Sequence, residues 1–142
     1  MWPFIIKRPL FLFHFIFSFD FLILYEHIVR EYESITLLKR ELERRGYTAE
    51  IRQLLDRKKL KYFTYKKPKV LVASAMYDDK TMNSFVYNNV GVCNKVVNLH
   101  WEQVLSEEQE NSPFFNCGQS ASYAMHTCWG TQARDRIVKY GV

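Results

Sequence analysis

Apolar and polar positions along this chain follow patterns that predict strands and helices in turn. Residues 21–25, FLILY, form a short continuous apolar run, which is typical of a strand buried on both faces of a parallel sheet. Residues 47–54 alternate between apolar and polar positions, and 69–74 and 95–99 are mostly apolar runs of similar length. These four stretches are the predicted strands.

The spacing of apolar residues after the first strand predicts a helix. Ile35, Leu38 and Leu42 repeat at the spacing of one helix face, and Gly46 follows two arginines as a helix stop. Further along the chain we predict a helix at 81–90, a loop at 106–130 and a helix at 131–140.

Alternating strands and helices predict an α/β fold, a Rossmann-like, doubly wound parallel sheet. Right-handed crossovers then bring the carboxyl ends of the strands to one edge, where such sheets bind ligands. Three polar stretches follow predicted strands and would meet at this edge: Glu26 and His27 after the first, Ser74, Tyr77, Asp78 and Asp79 after the third, and Asn98, His100, Trp101, Glu102 and Gln103 after the fourth.

Glu26 and His27 are candidates for catalysis, because a histidine or a carboxylate can act as a general base and the pair follows a predicted strand. Arg30 could hold a phosphate or carboxylate through both arms of its guanidinium. The alternative is an ordinary helix start, in which Glu31 and Glu33 complement the helix dipole and His27 is solvated. Arg30 would then pair with Glu26 or Glu33.

The segment NLHWEQ at 98–103 is the second candidate for a site. Trp101 could stack on a sugar or base, and Glu102 and Gln103 could hydrogen-bond hydroxyl groups, with Glu102 also a candidate catalytic carboxylate. In the alternative interpretation, Trp101 belongs to the core and Glu102 caps the next helix. Further substrate-binding candidates are Tyr77, Asp78, His100 and His126.

No metal site is predicted. Asp78 and Asp79 resemble metal-binding carboxylate pairs, but two acids at the start of a helix are stabilising without a ligand. The cysteines and histidines lack the spacing of structural zinc ligands. Three cysteines, an odd number, indicate a reducing intracellular compartment. The chain also lacks the glycine-rich motifs that are typical of dehydrogenases and NTPases.

Two segments are candidates for contact with a membrane surface. Residues 1–20 are rich in phenylalanine, but the apolar run at 10–19 is shorter than the roughly 20 residues of a spanning helix. This segment is therefore an anchor, an ordered extra element or a translated upstream extension. Residues 52–69 carry eight basic residues and one acid, although the net charge of the whole chain is only +5. This basic segment would bind anionic lipid in preference to nucleic acid, or is a solvated connection between strands.

Four stretches, taken in their order and spacing, resemble a known family: LILYEHIVREYESITLLKRELERRGY, KPKVLVASAMYDDKTMNSFVYNNVG, KVVNLHWEQVLS and HTCWG. They are similar to the N-terminal half of bacterial surface-carbohydrate biosynthesis proteins, which are glycosyltransferases of the GT-B architecture related to CDP-glycerol glycerophosphotransferases. The resemblance covers residues 21–142 and implies that they form the Rossmann-like N-terminal half of a two-domain enzyme.

This resemblance implies that residues 21–142 line the acceptor side of the cleft and that a nucleotide-activated donor binds a second domain. No cofactor is therefore expected on this half. We expect a truncated half-domain, inactive alone, with residues 1–20 as a hydrophobic extension. Its expected partner is a carbohydrate or lipid-linked acceptor, in the cytoplasm or peripherally at the inner face of the plasma membrane. The alternative is a non-catalytic, membrane-associated α/β binding module.

Overall fold

The computed structural model describes residues 19–54, 68–74, 95–99, 106–111 and 124–139. The described strands are β1 (Phe21–Tyr25), β2 (Ala49–Gln53), β3 (Val70–Ala73), β4 (Lys95–Asn98) and β5 (Ala124–His126). The described helices are α1 (Ile28–Arg44), α2 (Glu107–Asn111) and α3 (Thr131–Lys139).

These strands form one parallel sheet in the order β2-β1-β3-β4-β5. Phe21 of β1 is in register with Ala49 of β2 on one side and with Val70 of β3 on the other. β2, the next strand along the chain, therefore pairs with one edge of β1, and β3 pairs with its other edge. This reversal places the topological switch point between β1 and β3. The predicted α/β fold with a parallel sheet is confirmed.

The four predicted strands are confirmed, with ends that differ by at most two residues, and the helix predicted at 131–140 is present as α3. The predicted loop at 106–130 is wrong in two places, because it contains α2 and β5. β5 has only three residues, and its central Met125 is exposed, so no apolar run marks it in the sequence. The helix predicted at 81–90 lies outside the described residues.

Both faces of β1 are buried, as its continuous apolar run predicts. Ile23 packs in a cluster with Ile35 of α1, Ala49 of β2 and Val72 of β3. Leu22 and Leu24, whose side chains point to the other face, are fully buried as well. Since full burial of one such side chain contributes roughly 1.5–3 kcal/mol, the apolar faces of this strand are a principal source of stability.

The end of α1 is a Schellman motif. Gly46 has φ +85°, a left-handed conformation that a residue with a side chain adopts at a cost. Its N–H donates to the carbonyl of Glu43, and the N–H of Tyr47 donates to the carbonyl of Leu42. Arg44 of the last turn and Arg45 at the cap lie beside Glu41 and hold the pKa of that carboxyl at about 2. The predicted stop at Gly46 is confirmed.

Asp20 ties together the amino ends of three strands. Its Oδ2 accepts hydrogen bonds from the N–H and the hydroxyl of Thr48, at 2.8 and 2.9 Å, just before β2. Its Oδ1 accepts a hydrogen bond of 2.7 Å from Lys69 Nζ, just before β3. The Lys69 ammonium and the Thr48 donors lower the pKa of Asp20 to about 2. Asp20, the last residue of the expected extension, is thus hydrogen-bonded into the sheet.

The two segments expected at a membrane surface, 1–19 and 52–69, lie mostly outside the described residues. At the described ends of the basic segment, Arg52 Nη1 lies 2.9 Å from Glu50 Oε2, and Lys69 Nζ lies 2.7 Å from Asp20 Oδ1. Two of the eight basic side chains are therefore paired within the domain. Among the helices of the described segments, none combines the length and apolar character needed to cross a bilayer.

Candidate functional site at the carboxyl edge of the sheet

Polar side chains gather where the parallel strands end. Glu26 and His27 follow β1, Ser74 follows β3, and Asn98 and His126 are the last residues of β4 and β5. Glu26, His27 and Ser74 flank the switch point between β1 and β3, which is the usual ligand position in doubly wound sheets. We refer to Glu26, His27 and Ser74 as the switch-point site.

Glu26 and His27 form a close acid–imidazole pair. Oε1 of Glu26 lies 3.8 Å from Nε2 of His27. The Glu26 side chain is only 8% exposed, whereas 53% of the His27 side chain is exposed. The pair therefore combines a sheltered carboxylate with an imidazole that a ligand can reach. This geometry suits a base whose orientation a neighbouring acid controls.

Glu31 holds the turn that carries this pair. Its side chain is buried, and its Oε2 accepts a hydrogen bond of 2.7 Å from the N–H of Glu26. On the other side, Nε2 of Gln53 in β2 donates to the carbonyl of Glu26 at 3.4 Å. The helix-start interpretation, in which Glu31 only complements the dipole, therefore understates its role. Its carboxylate fixes the backbone of the residue that precedes the N-cap His27.

Arg30 lies exposed in the first turn of α1, and its N–H donates to the carbonyl of His27 at 3.2 Å. Its side chain is therefore on the same turn as the acid–imidazole pair. Glu33 is also exposed on this helix. The predicted phosphate clamp and the predicted ion pair both remain compatible with this position.

Ser74 is a buried residue to which the sequence patterns assigned no chemical role. It is 2% exposed, and its Oγ has no hydrogen-bond partner in the described part of the chain. Val72 is in register with Ile23 and packs beneath α1, so the alternation of side chains places Ser74 on the same face of the sheet. A buried hydroxyl without a partner is unfavourable by about 1–3 kcal/mol. The sequence signal for it is its place directly after a buried apolar strand.

Asn98 and His126 form a second polar pair, at the ends of β4 and β5. Asn98 is fully buried, and its Nδ2 lies 3.2 Å from Nδ1 of His126. An amide nitrogen can only donate, so Nδ1 of His126 is the acceptor in this pair. Thr127 supports this turn, because its hydroxyl donates to the carbonyl of Leu99 at 2.7 Å. His126 is the last residue of β5 and therefore lies at the carboxyl edge of the sheet.

The remaining predicted site residues lie outside the described residues, so their convergence on this edge stays a prediction. They are Tyr77, Asp78, His100, Trp101, Glu102 and Gln103. Within the described ranges, no three histidine, cysteine, aspartate or glutamate side chains come together as a metal site.

The described edge thus combines an exposed imidazole, a sheltered carboxylate 3.8 Å from it and a buried hydroxyl. In comparisons with known proteins, no family model, curated protein or solved structure matches this chain.

Proposed function

We propose that this chain forms the acceptor side of a transferase that moves a glycosyl or glycerophosphoryl group onto a hydroxyl of a surface carbohydrate or lipid-linked acceptor. The observation that carries the proposal is the Glu26–His27 pair at the switch point, with its sheltered carboxylate 3.8 Å from a reachable imidazole. The resemblance of residues 21–142 to the N-terminal half of GT-B enzymes supports the same reaction class.

In this proposal, His27 is the general base. Its Nδ1 takes the proton of the acceptor hydroxyl while the hydroxyl oxygen attacks the anomeric carbon or the phosphorus of an activated donor. The new bond forms as the donor releases its nucleotide. Glu26 stabilises the imidazolium through Nε2. The hydrogen bond that the Glu26 N–H donates to Glu31, and the one that Gln53 donates to the Glu26 carbonyl, keep the pair in place. The donor itself would bind to a second domain.

The acceptor would bind next to Ser74. Its hydroxyl can both donate to and accept from a ligand hydroxyl, and it is already shielded from water. Arg30 at the same turn would meet a phosphate of a glycerophosphoryl substrate. The site is thus suited to a polyhydroxylated acceptor that approaches along the carboxyl edge.

The test begins with the DNA downstream of Val142. If that DNA encodes a second α/β domain, the transfer activity of this chain reconstituted with that domain is measured. Nucleotide-activated glycerol and sugars serve as donors, and nucleotide release is measured. We expect His27→Ala to lower turnover by roughly 10²–10⁴-fold, because proton removal contributes that much to such reactions. Glu33→Ala, on an exposed position of the same helix, is the matched control and should leave turnover unchanged.

Equal turnover of the His27→Ala variant and the unmodified chain would remove His27 from the mechanism. If the chain binds the acceptor but no group is transferred, and His27→Ala leaves this binding unchanged, the result favours the non-catalytic binding module.

A further inference from the structure

Arg136 is a buried cation that the switch-point site does not use. It lies on α3 with Ala133 and Ile137, three and one positions away, and these three residues form the buried face of the helix. Arg136 is only 9% exposed, and its Nη1 has no hydrogen-bond partner in the described part of the chain. Its guanidinium carries a positive charge and can only donate hydrogen bonds.

The acid on the same helix does not neutralise Arg136. Asp135 is exposed and accepts two hydrogen bonds from Arg134, of 2.9 and 2.7 Å. A buried cation without a counter-charge is strongly unfavourable, because its hydration is lost without compensation. The burial of Arg136 therefore points to an anion that does not belong to the described residues.

Helix geometry relates Arg136 to the start of α3. Side chains on a helix lean toward its N-terminus, so a long side chain at position 136 extends toward the turn that contains Gln132 and Ala133. That end of α3 follows β5 after the four residues 127–130 and therefore lies at the carboxyl edge of the sheet. The N–H groups of Thr131 and Ala133 precede the first intrahelical hydrogen bond, which joins Arg134 to Gly130.

The start of α3 also has room and the right charge for an anion. A Cβ placed on Gly130 would meet no atom within 4 Å. The first turn of α3 contains no acidic residue, whereas the first turn of α1 contains Glu31. The positive end of the α3 dipole is therefore not neutralised by its own first turn.

We propose that Arg136 and the N-terminal N–H groups of α3 bind a phosphoryl group. The guanidinium and the N–H groups of Thr131 and Ala133 supply at least four donors, which the three terminal oxygens of a phosphate accept more completely than the two of a carboxylate. This phosphate site is separate from Glu26 and His27, and it does not depend on the transferase proposal.

The experiment is a titration of the full 142-residue chain with inorganic phosphate, with potassium chloride at equal ionic strength as the comparison. We expect phosphate, but not chloride, to raise Tm by several degrees once its concentration exceeds Kd about tenfold. Amide chemical shifts of Thr131 and Ala133 should move in the same titration. Arg136→Met should weaken phosphate binding at least tenfold, since a charged hydrogen-bonding group is lost.

Two variants distinguish a binding role from a structural one. Arg134→Met removes the same charge from an exposed position of the same helix and should leave phosphate binding within about twofold of the unmodified chain. In phosphate-free buffer, Arg136→Met should keep or raise Tm, because it replaces an unpaired buried charge by an apolar side chain. An unfolded or strongly destabilised Arg136→Met would show that a group of the chain itself pairs with Arg136 and would overturn the proposal. A phosphate response no larger than that of chloride, or one kept by Arg136→Met, would overturn it as well.

Discussion

Glu31 shows how one buried carboxylate can organise a site without touching a ligand. It accepts the N–H of Glu26 at 2.7 Å and so controls the residue that faces His27. A sequence pattern cannot distinguish this from an acid that merely complements the helix dipole, because both place a glutamate in the first turns of α1. The difference lies in burial, and burial here depends on how α1 packs on the sheet.

Glu31→Ala should lower the free energy of unfolding by about 1–3 kcal/mol, because the buried N–H of Glu26 loses its acceptor. Glu31→Gln keeps an oxygen in place and should be less destabilising. Urea denaturation of the two variants measures the difference. Glu33→Ala is the exposed control, and equal stability of the Ala and Gln variants at position 31 would contradict the role assigned to this hydrogen bond.

At the scale of elements, β1 is organised differently at its two ends. Asp20 joins the amino ends of β1, β2 and β3 through Thr48 and Lys69, whereas the carboxyl end carries the switch-point site. The Asp20 interactions connect positions 28 and 49 residues apart in the chain. No periodicity predicts such a pairing, and the sequence pattern assigns Asp20 to the N-terminal extension instead.

Asp20→Asn tests this connection through its pH dependence. The pKa of Asp20 in the folded protein, about 2, lies below its ordinary value of 3.8, so its ionised form stabilises the fold. That contribution is complete above about pH 4 and is lost as the pH falls toward 2. We expect Asp20→Asn to be about 1 kcal/mol less stable than the unmodified chain at pH 6, and this difference should fall to about a third of that value at pH 2.5.

Urea denaturation at the two pH values measures this change. Asp135→Asn, which disrupts an exposed pair with Arg134, is the control and should have a small effect. If the difference in unfolding free energy between Asp20→Asn and the unmodified chain does not narrow on acidification, Asp20 stabilises the fold without its charge.

The end of α1 is a second feature of element scale. Gly46→Ala should destabilise the protein by about 1 kcal/mol, because φ is +85° and no neighbouring atom lies within 4 Å of the added Cβ. The effect is then conformational and not steric. Gly46→Asn should be less destabilising, since asparagine tolerates this conformation better. Thermal unfolding compares the two, and an alanine variant as stable as the glycine form would contradict the assignment.

At the scale of the whole molecule, the sequence predicts elements with strong periodicity and misses those without it. β1 and α1 are long enough, and sufficiently apolar on their buried sides, to be predicted with nearly correct ends. β5 is too short and too exposed for that, because its position depends on pairing with β4. The position of β5 in turn brings His126 within reach of Asn98.

The candidate site is predictable to the same degree. Glu26 and His27 follow a strongly apolar strand and could be assigned to the carboxyl edge from the sequence alone. Ser74 also follows an apolar strand and could be assigned to this edge, but its lack of a hydrogen-bond partner could not be predicted. Arg136 could be recognised only from its burial without a partner. Burial without a partner is a three-dimensional property that neither composition nor spacing reports.

The central position of β1 also has a consequence for synthesis on the ribosome. β1, α1 and β2 lie within residues 21–53 and can pair as soon as that part of the chain has emerged. The other edge of β1, an apolar strand, stays unpaired until β3 has been synthesised. Asp20 and Lys69, at the amino ends of these two strands, are 49 residues apart in the chain. During that interval the nascent chain presents an unpaired strand edge, to which another nascent chain or a chaperone can bind.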